Sequence, residues 1–119
     1  MEIVNLNQVR PFITKDGSQI REIMSPRNSS AQNQSLAEAR VALGQTTEEH
    51  YHVHAEEIYY ILQGVGRMWL EGSIRDVVAG DGIVIPPGER HSIKNTGKDT
   101  LVILCCCAPA YTHEDTILV

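Results

Sequence analysis

The residues in this chain that could do chemistry are three histidines and a glutamate, which lie in two separate segments. His50 and His52 are separated by one residue, Glu57 follows them, and His91 comes after the turn sequence Pro86–Gly88. Alternate side chains of an extended strand share a face, so His50 and His52 can point at one place. Three neutral imidazoles and a carboxylate suit a divalent transition metal such as Mn, Fe, Ni, Co, Cu or Zn, and four ligands leave octahedral positions open. Open positions are typical of catalytic metal sites, so we expect one such ion per chain.

Alternation along the next segment distinguishes Glu57 from its neighbour Glu56. The run Ile58–Leu62 is apolar and typical of a strand, and its period of two places Glu57, Tyr59 and Ile61 on one face. If that face is the inner one, Glu57 is the metal ligand and Glu56 is solvated. Tyr59 is then a candidate for a pocket hydroxyl.

Three further residues are candidates for the pocket around the metal. His54 has the same parity as the two strand histidines, but the turn toward the glutamate should break the strand, so we expect His54 in the pocket or at its rim. Arg21 or Arg40 could bind a substrate carboxylate. The alternation of apolar residues in Ser35–Leu43 turns Arg40 outward, so a solvated position is favoured for that side chain.

These segments resemble the two signature motifs of the cupin superfamily, with no position missing. The first motif covers residues 44–64 and the second covers residues 80–95; the matching positions are Gly44, His50, His52, Glu57 and Gly64, then Gly80, Pro86, Gly88, His91 and Asn95. The resemblance implies an all-β fold, a cupin-type jelly-roll β-barrel (double-stranded β-helix). It also implies that His50, His52, Glu57 and His91 hold the metal. It does not imply one reaction, because the same fold hosts many.

Length and composition fit a single small domain over residues 1–119. The formal charge is −5 and lysine and arginine form no cluster, so neither nucleic acid nor an anionic membrane is an expected partner. The longest apolar run, Leu101–Ala108, is too short to cross a bilayer. The first residues lack the basic-then-apolar order of a secretory signal. We therefore expect a cytoplasmic protein whose partner is a small molecule.

The three cysteines, Cys105, Cys106 and Cys107, all lie inside that apolar run. No Cys-x-x-Cys spacing is present, and free cysteine packs as a small apolar side chain. We therefore expect these residues in the core, without a role in metal binding or redox chemistry. Free thiols also indicate a reducing compartment.

A homodimer is expected from the outward face of the strand that carries Glu57. That face presents the large apolar side chains Ile58, Tyr60 and Leu62. An apolar outer surface of this extent usually contacts a partner. Cupins generally pair in this way, so the resemblance leads to the same expectation.

The leading functional hypothesis is an enzyme that decarboxylates, isomerises, cyclises or oxygenates a small oxygenated metabolite. A divalent ion with open positions can bind two oxygens of such a molecule and stabilise negative charge on them. The alternative is a non-catalytic cupin that binds or senses a small acid, sugar or polyketide-like compound. A purely structural role, as in seed-storage cupins, is disfavoured because the four-ligand set is intact.

Overall fold

The computed structural model describes residues 1–119 and consists of eleven antiparallel strands and a short 3-10 turn at Leu6–Gln8. No helix in it has the length and apolar character needed to cross a membrane. The strands are β1 (Phe12–Ile13), β2 (Gln19–Met24), β3 (Ser35–Val41), β4 (His50–His52), β5 (Glu56–Gln63), β6 (Val65–Leu70), β7 (Ser73–Val78), β8 (Gly82–Ile85), β9 (His91–Asn95), β10 (Leu101–Ala108) and β11 (Thr116–Leu118).

The strands form two sheets that face each other. The first has the order β1-β2-β3-β10-β5-β8 and the second has the order β11-β4-β9-β6-β7. From β3 onward the chain changes sheet at each connection, apart from the β6–β7 hairpin. This confirms the expected all-β jelly-roll fold. The two sheets remain separate rather than joining into one closed barrel.

The core lies between the sheets and follows the alternation of side chains along each strand. In β5, Tyr59 and Ile61 are buried, whereas Ile58, Tyr60 and Leu62 are each more than two-fifths exposed. Buried side chains from both sheets form one apolar cluster, which includes Ile61, Ile85, Ile93, Leu101 and Ile103. Removing this apolar surface from water is the main force that holds the sheets together.

Two motif residues fix the backbone at the end of the sandwich away from the histidines. Gly64 has a φ of 96°, and a β-carbon there would lie 3.1 Å from the carbonyl oxygen of Thr100. Asn95 is buried, and its Nδ2 donates to the carbonyl oxygens of Val41 (3.0 Å) and Asp99 (2.8 Å). These two residues stabilise the fold, because each holds a loop that connects a strand of one sheet to a strand of the other.

The N-terminal and C-terminal segments pack against the end of the sandwich that contains the histidines. The turn between β1 and β2 is held there because the main-chain N–H of Glu48 donates to the carbonyl of Asp16 (2.8 Å). Lys15 Nζ in the same turn donates to the carbonyls of His113 (2.9 Å) and Thr116 (2.8 Å). Strand β11 pairs along β4. Both terminal segments therefore contribute to the site.

Candidate metal centre

Three of the predicted ligands come from two adjacent strands of one sheet. His50 and His52 lie on the inner face of β4, and His91, the first residue of β9, is paired directly with His50. All three side chains are buried, and their ligand atoms lie within 4.8 Å of one another. The ladder between β4 and β9 therefore brings together histidines that are far apart in sequence.

The hydrogen bonds of the three rings leave their Nε2 atoms free to bind a metal. Nδ1 of His50 donates to the carbonyl of Glu48 (2.9 Å), and Nδ1 of His91 donates to the carbonyl of Glu89 (2.9 Å). Because a carbonyl only accepts, both protons are on Nδ1 in the neutral rings and both Nε2 atoms carry a lone pair. His52 is held through Nδ1 by the hydroxyl of Thr116 (3.1 Å). Partners of this kind orient metal-binding histidines and fix their tautomer.

Glu57 approaches the histidines from the opposite sheet. Its Oε1 lies 3.1 Å from Nε2 of His52 and 3.7 Å from Nε2 of His91. Its Oε2 accepts a hydrogen bond from Sγ of Cys107 (3.2 Å). Thr116 Oγ1 donates its own proton to Thr112, so it accepts from His52 and leaves Nε2 as an acceptor. Either a proton on Nε2 or a bound cation can then bridge the imidazole and the carboxylate.

One buried nitrogen atom at the site has no hydrogen-bond partner within the protein. Nε2 of His91 is buried and has no hydrogen-bond partner. A buried polar atom without a partner is costly, typically by about 1–3 kcal/mol. The donor set of three imidazole nitrogens and one carboxylate is also the set that borderline divalent metals prefer. The residues therefore fit a divalent transition-metal ion.

The charges in the site keep these groups in their metal-binding forms. Burial by itself raises the pKa of Glu57, but contact with His52 and His91 outweighs burial and lowers the pKa to about 2. Burial lowers the pKa of His50, and the neighbouring His91 lowers it further. The carboxylate is therefore ionised and the His50 imidazole is neutral at neutral pH, as metal binding requires.

His50 and His52 line a cavity of about 590 Å³, a volume that includes the solvent at its mouth. About half of its lining residues are apolar, among them Ala37, Ala39 and Val41 from β3 and Ile93 from β9, and the rest are polar or charged. Tyr59, the predicted pocket tyrosine, is one of the lining residues. Burial, followed by the charge of Glu57, raises the pKa of Tyr59. Its hydroxyl therefore stays protonated and can donate a hydrogen bond to a bound molecule.

The two arginine candidates for the pocket do not line the cavity, as alternation favoured for Arg40 but not for Arg21. Arg21 and Arg40 are on the outer face of the sheet, where they flank Glu38. Arg40 Nε lies 2.8 Å from Glu38 Oε1, and Arg21 Nη1 lies 3.9 Å from the same oxygen. The reason is the strand period, because the lining residues Ile20, Ala39 and Val41 occupy the inward positions next to them. Neither arginine can therefore bind a substrate carboxylate in this cavity.

His54 is also not a pocket residue. Its side chain is 76% exposed, and its Nδ1 donates to Oδ1 of Asp115 (2.8 Å). Asp115 also accepts from the main-chain N–H groups of His54 (2.9 Å) and Ala55 (3.0 Å). This contact ties the turn between β4 and β5 to the C-terminal segment. The neighbouring Glu56 is exposed and the predicted ligand Glu57 is buried.

The cysteines are free and mostly buried, but they are closer to the site than the sequence suggests. Cys105 and Cys107 line the cavity, and Cys106 faces the other side of β10. Burial, with the charge of Glu57, raises the pKa of Cys107 well above its usual value, so it remains a thiol. It acts as a hydrogen-bond donor that holds Glu57.

Sequence patterning missed two polar residues at the site, Asp16 and Thr116. Asp16 lines the cavity, and its Oδ2 lies 3.9 Å from Nε2 of His50. The dipeptide Asp16-Gly17 is a turn signal that could have located the hairpin, although nothing in it indicates that the turn lies over the histidines. Thr116 is 64 residues from its partner His52, so no local pattern connects them.

The fold and the metal-ligand geometry together define a cupin. Residues 37–107 match the cupin domain family, and the chain belongs to that family. An uncharacterised protein of Methanocaldococcus jannaschii is 50% identical over 110 residues, which cover 92% of this chain and 88% of that protein.

Among solved structures, a predicted oxalate decarboxylase from Thermotoga maritima is 27% identical, with a TM-score of 0.79 over 91% of this chain and 99% of that one. The nucleoside dehydratase Pac13 from Streptomyces has a TM-score of 0.82 over 100% of this chain and 91% of that one. Its sequence identity is 18%, so this likeness shows the fold alone. Solved cupins with this fold thus include proteins described as enzymes of different reaction classes.

Proposed function

We propose that this protein is a metal-dependent enzyme that acts on a small oxygenated metabolite. One divalent transition-metal ion would be held by His50, His52, Glu57 and His91. The observation that carries the proposal is the buried Nε2 of His91, which has no partner and faces the other ligand atoms. Decarboxylation, isomerisation, cyclisation and oxygenation are the reaction types that such a site supports.

The bound ion would supply Lewis-acid stabilisation of negative charge on a substrate oxygen. The chain itself supplies the other requirements. The apolar part of the cavity wall limits the number of water molecules around a bound ligand, which strengthens the electrostatic interactions there. The protonated hydroxyl of Tyr59 can donate a hydrogen bond that orients the ligand.

The first test is elemental analysis of the purified protein and of two histidine variants. We expect about one divalent ion per chain in the wild type and loss of that ion in His91→Ala, because the change removes a ligand and leaves the others poorly oriented. His113→Ala is the matched control, since His113 is exposed and outside the cavity. Full metal occupancy in His91→Ala would contradict the proposal.

The second test is a turnover screen of the metal-loaded protein. Hydroxyketones, enols and 2-oxo acids would be supplied under air and under nitrogen. Oxygen uptake would identify an oxygenase, and conversion under nitrogen would identify a lyase or an isomerase. Binding of such molecules without any conversion would instead support the second candidate, a non-catalytic cupin that binds or senses a small molecule.

We also infer how the protein is organised and where it works. The proposal is one domain over residues 1–119 that acts as a homodimer in the cytoplasm. The free thiols of Cys105, Cys106 and Cys107 support a reducing compartment. The exposed apolar side chains on β5 support the dimer.

A further inference from the structure

A carboxylate from the N-terminal hairpin lies beside the metal ligands with one oxygen free. Oδ1 of Asp16 accepts three hydrogen bonds, from Oγ1 of Thr14 (2.6 Å), the main-chain N–H of Ser18 (2.9 Å) and Oγ of Ser18 (2.6 Å). Oδ2 takes part in none of them and lies 3.9 Å from Nε2 of His50. The side chain is therefore fixed with Oδ2 close to Nε2 of His50, one of the proposed metal-binding atoms.

The hairpin that carries Asp16 is fastened to the site. The carbonyl of Asp16 accepts from the main-chain N–H of Glu48, two residues before the first metal ligand. The neighbouring Lys15 donates to two carbonyls of the C-terminal segment. Only 12% of the Asp16 side chain is exposed. Its position relative to His50 is consequently set by several independent bonds.

The cavity has a marked charge asymmetry. Its lining includes the carboxylates of Asp16, Glu22 and Glu57, and it includes no lysine or arginine. Glu22 is neutralised from outside the cavity by Arg27, whose Nη2 lies 2.9 Å from Oε2 and 3.0 Å from Oε1. Asp16 and Glu57 are left without a lysine or arginine partner, and their two negative charges together balance the charge of one divalent ion. An anionic ligand would bring negative charge into a partly buried site with no basic side chain to match it.

We propose that the site selects neutral ligands that carry a hydroxyl group next to a carbonyl or a second hydroxyl, and that Asp16 is the residue that sets this specificity. The inference rests on the proposed metal centre. A hydroxyl bound near the ion can donate to Oδ2 of Asp16 in a charge-assisted hydrogen bond. A carboxylate at the same position has no proton to donate and meets Oδ2 as a second negative acceptor. Molecules such as 2-hydroxyketones and diols are favoured over 2-oxo acids and dicarboxylates, so that isomerisation, cyclisation and oxygenation are favoured over decarboxylation among the proposed reactions.

The test uses two probes of the same size, hydroxyacetone and pyruvate, which differ in having a hydroxymethyl or a carboxylate next to the keto group. Each is titrated into Mn²⁺-loaded protein, and the paramagnetic relaxation of the methyl protons gives its dissociation constant. In Asp16→Asn, Oδ1 can still accept from Thr14 and Ser18, while the charge is lost and an amide donor can face the ligand. We expect the preference for hydroxyacetone relative to pyruvate to fall by roughly tenfold or more. Asp76→Asn, the same change at an exposed site outside this cavity, should leave the ratio unchanged.

The outcomes separate this inference from the metal centre on which it rests. An unchanged ratio in Asp16→Asn, with normal Mn²⁺ content, would overturn the role of Asp16 and leave the metal centre intact. Loss of Mn²⁺ from Asp16→Asn as large as the loss from Glu57→Gln would make Asp16 a metal ligand and would also overturn the inference. A wild-type protein that binds no divalent ion would overturn both proposals.

Discussion

The assignment of Glu57 as a metal ligand is tested by changing it and its neighbour in the same way. Glu57→Gln keeps the shape of the side chain and replaces a charged oxygen donor with a neutral amide. Glu56→Gln makes the same chemical change one residue earlier, on the opposite face of β5. Because Glu57 is buried and Glu56 is exposed, only the first change removes a charge from the site.

The size of the effect follows from where the carboxylate lies. Its Oε1 is 3.1 Å from Nε2 of His52, so an ion bound to that nitrogen is also close to the oxygen. Two unit charges about 4 Å apart interact by about 4 kcal/mol at an effective dielectric constant of about 20, and a divalent ion doubles this figure. Desolvation of the carboxylate offsets much of that energy. We expect a net loss of at least about 3 kcal/mol, which is more than roughly 100-fold in metal affinity.

The affinity is measured by competition with a chromophoric chelator for Zn²⁺ or Co²⁺, and circular dichroism checks that each variant is folded. Glu56→Gln should change the binding free energy by less than about 1 kcal/mol, because its charge is in contact with solvent. Equal loss of metal in both variants would refute the argument that burial distinguishes the two residues. Loss of metal in Glu56→Gln alone would mean that Glu56 is the ligand and that the opposite face of β5 is the inner one.

Three further outcomes are expected. Burial, followed by His91, lowers the pKa of His50, so its imidazole is still neutral at pH values somewhat below the ordinary pKa of histidine. The metal should therefore be kept at pH 7 and lost below about pH 6. Retention of the metal near pH 4 would mean that histidines are not ligands. Thr116→Val removes the acceptor that lies 3.1 Å from Nδ1 of His52, and chelator competition should show metal binding weakened by roughly 10–100-fold. Tyr60 is 44% exposed on the apolar outer face of β5. Light scattering should therefore show a homodimer for the wild type and a shift toward monomer for Tyr60→Lys. A wild-type monomer at micromolar concentration would contradict the dimer.

The parts of the fold that follow short-range rules could be predicted from the sequence. The period of two in β5 gave the correct inner face, with Tyr59 and Ile61 buried. The turn between β6 and β7 also follows a short-range rule, because Glu71 and Gly72 both have positive φ, as a tight hairpin turn needs. In each case neighbouring residues carry enough information to fix the local backbone.

The residues that the sequence did not reveal depend on contacts between distant segments. The inward residues of strand β2 that line the cavity are Ile20 and Glu22. Because one of them is charged, β2 lacks the alternation of apolar and polar residues that normally identifies a half-buried strand. Glu22 is tolerated there because Arg27, beyond the end of the strand, pairs with it. Thr116 reaches the site because β11 pairs with β4. Such pairings are set by tertiary packing and have no signal in a short window of sequence.

The site therefore divides into two parts that the fold builds in different ways. The proposed metal ligands lie on β4, β5 and β9, whose positions are fixed by strand pairing and by the buried core. Asp16 comes from a hairpin turn that is fastened over the histidines by a few hydrogen bonds, and the core does not depend on its side chain. Changes in the turn can therefore alter which molecule binds while the metal stays in place. In this chain the two motifs would thus specify the metal site, and the N-terminal turn would specify which molecule binds beside the metal.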